Sequence, residues 1–133
     1  MVRYMADAVA MLRYLVDELP TGADEIFTRA EDGIDVILSP DVQLAEVLYQ
    51  VSRGGVVAGV ELQGNPNETL RRLVTNGPVD VASIGEHELA VFASEIALYS
   101  MHDGLLVATH RVQGTEAVVT KDEDFSGEET VWK

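Results

Sequence analysis

The sequence predicts an α/β fold, a three-layer α/β/α sandwich around a mostly parallel sheet of four to five strands. Three observations lead there. Short apolar runs of strand length alternate with helical patterns along the whole chain, which is the signature of a parallel sheet covered on both faces. Two of the helical patterns open with a cap-plus-proline signal, Ser39-Pro40 and Asn65-Pro66. No repeat, linker or low-complexity stretch interrupts the alternation, and 133 residues at 47% hydrophobic can bury one substantial core, so residues 1–133 are read as a single domain.

In chain order, Val2-Arg3-Tyr4-Met5-Ala6 is short and apolar and reads as the first strand, with Asp7 at its carboxyl end. From Ala8 to Leu19 apolar residues run almost all round the axis, predicting a buried helix that Pro20 stops. Thr21 with Asp24 resembles a capping box that opens a helix through Ile26, Phe27 and Ala30, closed by Asp32-Gly33. Asp35 to Leu38 is the second strand, and Ser39-Pro40 then starts a helix from Asp41 to about Arg53. Its core stripe is Leu44, Val47, Leu48 and Val51, while Glu46 lies on a neighbouring face with Val42 and Tyr49, an acid inside an otherwise apolar run.

Gly54 to Gly64 reads equally as a loop or a short extended segment. Asn65-Pro66 opens a helix with Leu70, Leu73 and Val74 inward and Arg71-Arg72 partly outward, which Asn76-Gly77-Pro78 closes. Val79 to Ala82 is a third strand, and Glu86 to Tyr99 a long helix with Leu89, Phe92, Ala93, Ile96 and Tyr99 at helical spacing. Asp103 opens a further helix whose Leu105, Leu106, Val107 and Ala108 are apolar enough to be buried. The fourth strand is Ala117 to Thr120, followed by Asp122, and Thr130-Val131-Trp132 forms a fifth at the sheet edge.

Composition narrows the setting. The chain has no cysteine, which excludes disulfides and cysteine-based zinc sites and points to a reducing compartment. No apolar run approaches the ~20 residues that span a bilayer, and the N-terminus has Asp7 but no cleavage signal, so a soluble cytoplasmic protein is expected. Asp and Glu number 23 against 9 Lys and Arg, a net charge of −14, in a chain too hydrophobic for disorder. Folded, acidic and poor in lysine, the chain fits the salt-rich cytoplasm of a halophilic archaeon; an ordinary acidic mesophile protein is the alternative. In salt of about 1 M the Debye length is only ~3 Å, so surface acids do not bar a polyanion from a cleft.

Four carboxylates hold special positions: Asp7 after the first strand, Glu46 in the third helix, Asp103 at a helix start and Asp122 after the fourth strand, with Asp124 beside it. If the first and fourth strands are neighbours, Asp7 and Asp122 converge. Like charges ~4 Å apart repel by ~1 kcal/mol in water and by ~4 kcal/mol at a protein surface. A hard divalent cation is the usual counter-charge, and carboxylate-only ligation favours Mg²⁺ or Mn²⁺ over zinc. Each acid also has a plain reading: Asp103 as a helix N-cap, Asp122 and Asp124 as a solvated turn, Glu46 as a salt-bridge partner of Arg13 or Arg111.

The stretches MVRYMADAVAMLRYL, SPDVQLAEVLYQVSR and YSMHDGLLVATHRVQGTEAVVTKDEDF, in this order and spacing, resemble a PIN domain, the metal-dependent ribonuclease fold of VapC toxins. The resemblance covers nearly the whole chain. It implies single-stranded RNA cleavage at an acidic Mg²⁺ or Mn²⁺ site made by Asp7, Glu46, Asp103 and Asp122, with Asp124 in the Asp-x-Asp-Phe ending as a supplement. Asp7, Asp103 and Asp122 would ligate the ion directly or through water, and Glu46 would hold a second ion or orient the attacking water. Thr120 and Lys121 would meet the substrate, an antitoxin would be the partner, and a homodimer the assembly. The departure is Ala8-Val9, where many relatives carry Thr or Ser and then Asn or Ser after the first Asp.

Two other classes compete: a PIN-like module that binds RNA or protein without turnover, which Ala8-Val9 would suit, and a receiver-like signalling domain. The latter needs a phosphorylatable Asp after a middle strand, which no stretch supplies. Neither a P-loop GK[ST] nor a G-x-S-x-G nucleophile motif occurs.

Overall fold

The computed structural model describes residues 1–95, 99–122, 125 and 127–133. Ile96 and Asp124, both singled out in the sequence, lie outside the described residues. Five strands form the main sheet: β1 (Arg3–Ala6), β2 (Val36–Pro40), β5 (Val79–Ala82), β6 (Ala117–Val119) and β7 (Thr130–Val131). Their order is β5-β2-β1-β6-β7, and every neighbouring pair is parallel. A separate antiparallel hairpin, β3 (Val56–Val57) and β4 (Val60–Glu61), resolves the ambiguous glycine-rich stretch in favour of the extended reading.

The strand alternation sorts side chains to two cores. Ala6, Ile37, Val79 and Val119 join a cluster with α1 (Ala8–Leu15), α2 (Thr21–Glu31) and α3 (Asp41–Ser52). Met5 and Val118 point the other way, to Leu106 and Val107 of α6 (Met101–Gln113), with Leu38 packed against them. Helices therefore cover both faces of the sheet, and the α/β/α sandwich expected from the alternation is the fold found.

Several element ends differ from expectation for local reasons. Helix α1 stops at Leu15, ahead of Pro20, because Asp17 adopts a left-handed conformation (φ 56°). Asp17 N–H then bonds Tyr14 O and Glu18 N–H bonds Arg13 O, a Schellman closure that Asp tolerates better than most residues. Thr21 is the first residue of α2, not its cap, and the Ala23 N–H is instead satisfied by the Lys133 carbonyl at 3.0 Å. Ser39 and Pro40 belong to β2, and the Ser39 hydroxyl donates to the Ala6 carbonyl at 2.7 Å, tying the ends of β1 and β2 together. Asn65 does cap α4 (Pro66–Leu70), accepting from Glu68 N–H.

Two expected apolar stripes are rotated. A π-helical turn, Arg71–Thr75, follows α4, and its wider winding buries Leu73 fully while leaving Leu70 at the surface. In α5 (Glu86–Glu95), Leu89 is 52% exposed and Ala93 is also exposed, whereas Glu88 is buried and accepts from the Gly85 N–H. That reach back to the helix start is half of a capping box, and it claims the inward position the stripe assigned to Leu89. Among the described residues, no helix is long and apolar enough to cross a membrane.

Gly77 connects the π-helical turn to β5, and a Cβ there would overlap the Arg72 carbonyl oxygen and lie 2.5 Å from the Leu73 carbonyl. These obstacles are backbone and cannot swing aside. Gly77→Ala is expected to lower stability by roughly 2–3 kcal/mol in urea titration, the upper range for overpacking.

Candidate acidic site at the switch point of the sheet

The chain runs from β1 outward to β2 and β5 on one side, then returns to β6 and β7 on the other. The strand order therefore reverses between β1 and β6, and the crevice beyond their carboxyl ends is where open α/β sheets bind ligands. Asp7 is the first residue after β1, and its N–H bonds the carbonyl of Val119, the last residue of β6. Thr120 and Asp122 follow β6 directly. The adjacency of the first and fourth predicted strands is thus the observed one.

Asp7 is only 9% exposed, and both carboxylate oxygens are engaged. Oδ1 accepts from the Ala10 N–H at 2.9 Å as the N-cap of α1, and Oδ2 accepts from the Thr120 hydroxyl at 2.6 Å. Burial nevertheless pushes its pKa up to about 6; those two hydrogen bonds pull it down, while the charges of Asp103 and Asp122 raise it further. Asp103, from α6, and Asp122, from beyond the end of β6, are thus both near enough to Asp7 for their charges to act on it.

Thr120 has a different place from that expected. Its side chain is 1% exposed, and its hydroxyl gives its proton to Asp7 while accepting from the Asp122 N–H at 3.1 Å. A hydroxyl enclosed and used on both sides holds the two acids in register and is not available to substrate. Lys121, the next residue, is exposed at the lip and has no ion-pair partner among the described residues. Support that Ala8-Val9 cannot supply to Asp7 therefore comes from the neighbouring strand.

Asp103 lies in the first turn of α6, where Ser100 is the cap and accepts from the Asp103 N–H at 3.3 Å. The plain N-cap role is thereby taken by Ser100. The next residue, Gly104, meets α5: a Cβ there would stand 2.7 and 2.9 Å from the Phe92 ring. Glu46 is half-buried and accepts from Gln50 Nε2 at 3.1 Å along α3. The salt bridge considered for it is not formed, since Arg13 reaches the Glu18 carbonyl and the Trp132 ring, and Arg111 pairs with Glu128.

Glu128 anchors the return from the acidic loop. Its carboxylate takes Arg111 Nε at 2.8 Å and Nη2 at 2.6 Å, and His110 Nε2 lies 3.2 Å away, with His110 Nδ1 2.6 Å from the Thr115 hydroxyl. Phe125 is buried against Tyr99, ring centroids 5.8 Å apart, which fixes the other end of the same loop. The sequence reading missed one residue that faces this site, Gln43, whose buried amide bonds backbone beside both Asp7 and Asp103. A polar residue at an inward position of α3 was the available signal.

The donor set suits a hard cation, being carboxylate oxygen throughout. Burial is the main reason the Asp7 pKa rises to about 6, and the charges of Asp103 and Asp122 add to it; a cation beside Asp7 would oppose both. Among the described residues no three His, Asp or Glu side chains are close enough to chelate one ion together. Mg²⁺ commonly binds through one or two carboxylates and retains waters, and so does not need three protein ligands.

Structural comparison places the architecture. A VapBC2 complex from Rickettsia felis, solved bound to a DNA fragment from its promoter, superposes with a TM-score of 0.71 at 12% identity, over 99% of this chain and 100% of that one. VapC20 of Mycobacterium tuberculosis, described as a sarcin–ricin loop cleaving toxin, gives 0.66 at 18% identity, over 98% and 99%. The chain has a VapC-like PIN fold. No protein-family model and no curated sequence matches it, so the likeness rests on the fold.

Two outcomes follow from the Asp7 environment. Its folded pKa, about 6, exceeds the ordinary value of 3.8, so the folded state holds this proton more tightly than the unfolded chain. The resulting stability is full below about pH 4 and is lost as pH rises through 6. Asp7→Asn keeps the cap and removes the charge, and is expected to raise stability at pH 7.5 by roughly 1–3 kcal/mol, with the gain vanishing below about pH 4 in urea titrations. Thr120→Val removes a bond that stabilises the ionised form; carboxyl NMR should show the Asp7 pKa moving above its present value, and Thr120→Ser should restore it.

Proposed function

We propose that the protein is a Mg²⁺- or Mn²⁺-dependent endoribonuclease that cleaves single-stranded RNA as the toxin of a toxin–antitoxin pair. The observation that carries this reading is the buried Asp7 at the switch point of a VapC-like PIN fold, with Asp103 and Asp122 near enough for their charges to act on it. Asp7, Asp103 and Asp122 would hold the ion directly or through water, with Asp124 in support. Glu46 would orient the attacking water or serve a second ion, and Lys121, exposed at the lip, would meet a substrate phosphate. When bound, the cation supplies an activated water and neutralises charge developing on the phosphodiester. The protein's own part is to keep Asp7 in place through Thr120 and Ala10 and to exclude bulk water from it.

The similar solved structures include a VapBC2 complex bound to a DNA fragment from its promoter and a sarcin–ricin loop cleaving toxin. They support an antitoxin partner for this chain, and a homodimer and a salt-rich cytoplasm complete the proposal. The net charge of −14 sets the assay: cleavage should be measured in molar salt, where distant acids are screened from RNA. Divalent metal should be required, and Asp103→Asn should lower the rate roughly 100-fold or more with the fold intact, since loss of supporting groups alone reaches that size. Cleavage that persists in EDTA and survives Asp103→Asn would sink the mechanism. A PIN-like binding module without turnover is the second reading, favoured by the lack of a three-ligand group among the described residues. Calorimetry showing no Mn²⁺ uptake by folded protein would select it.

A further inference from the structure

Gln43 lies in the first turn of α3, one helical turn before Glu46, and is 5% exposed. Its amide is used at both ends. Oε1 accepts from the Ala8 N–H at 2.7 Å, and Nε2 donates to the His102 carbonyl at 3.3 Å. Ala8 directly follows Asp7, and His102 directly precedes Asp103. One buried side chain from a third element therefore bonds the backbone beside each of two carboxylates that repel one another.

The chemistry explains the residue type. The Ala8 N–H begins α1 and has no acceptor within the helix, while the His102 carbonyl can take a donor; among the side chains, a neutral amide of this length presents both. A glutamate would serve the first group and oppose the second. Without such a tie, like charges in a shielded crevice drift apart, because their repulsion there is several times that in water.

We propose that Gln43 is a positioning residue that fixes the separation of Asp7 and Asp103 at the acidic site. This rests on the metal-site reading above. The tie acts on backbone rather than on the carboxylates themselves, so it takes up none of their oxygens. It also accounts for the tolerance of Ala8-Val9: with the Ala8 N–H held from α3, no polar side chain is needed at position 8 to steady the strand end.

The test uses the full chain without metal and then with Mn²⁺. In wild-type protein the Ala8 amide should be protected from hydrogen exchange by NMR. Gln43→Met, which fills the space with no polar atom, should lose that protection and bind Mn²⁺ 10–100-fold more weakly by calorimetry. Gln43→Glu should keep the Ala8 amide protected while the His102 carbonyl resonance shifts, because only the donor is lost; this variant carries the comparison if Gln43→Met does not fold. An unprotected Ala8 amide in wild type, an unmoved His102 carbonyl in Gln43→Glu, or wild-type Mn²⁺ affinity in folded Gln43→Met would each overturn the positioning role. Wild-type protein that takes up no Mn²⁺ would overturn the metal-site reading itself, and the role built on it.

Discussion

Everything around the site depends on keeping one carboxylate ionisable where water hardly reaches it. Asp7 is the end of the central strand, the cap of α1 and the focus of the acidic crevice at once. Desolvation disfavours its charged form, and the neighbouring acids reinforce that tendency. Two hydrogen bonds, from Thr120 and from the first turn of α1, work in the opposite direction. The balance leaves a group with a pKa of about 6, close enough to neutrality for its environment to decide its state.

How much of this was legible in the sequence depended on whether the signal was local. Strand β5 was read to the residue, Val79 to Ala82, because its apolar run is bounded by Asn-Gly-Pro on one side. The buried run Leu105 to Ala108 was legible for the same reason. Asp7 and Asp122 could be placed because each follows a recognisable strand. What sequence could not supply was rotation about a helix axis: Leu89 and Leu70 have inward spacing but lie at the surface, displaced by Glu88 and by a π-helical turn. Nor could it show hydrogen bonds between distant segments. Thr120 and Asp7 are 113 residues apart, and the hydroxyl that looked like a ligand for substrate is spent within the protein. Gln43 passed unnoticed because only the assembled fold reveals what stands at either end of its amide.

The charge of the chain divides by depth. Most of its acids ring the surface, where they govern solubility and response to salt. The few that matter to the site are those placed at strand and helix ends; elsewhere, Arg29 pairs with Asp35 and Arg111 with Glu128. These two arginines serve as structural clamps at the base of β2 and at the return to β7.

The contact between Gly104 and Phe92 has a mechanical meaning. Gly104 adjoins Asp103, and the ring of Phe92 occupies the space that a side chain there would fill. Any side chain added at position 104 would therefore have to displace either that ring or the helix start that carries Asp103.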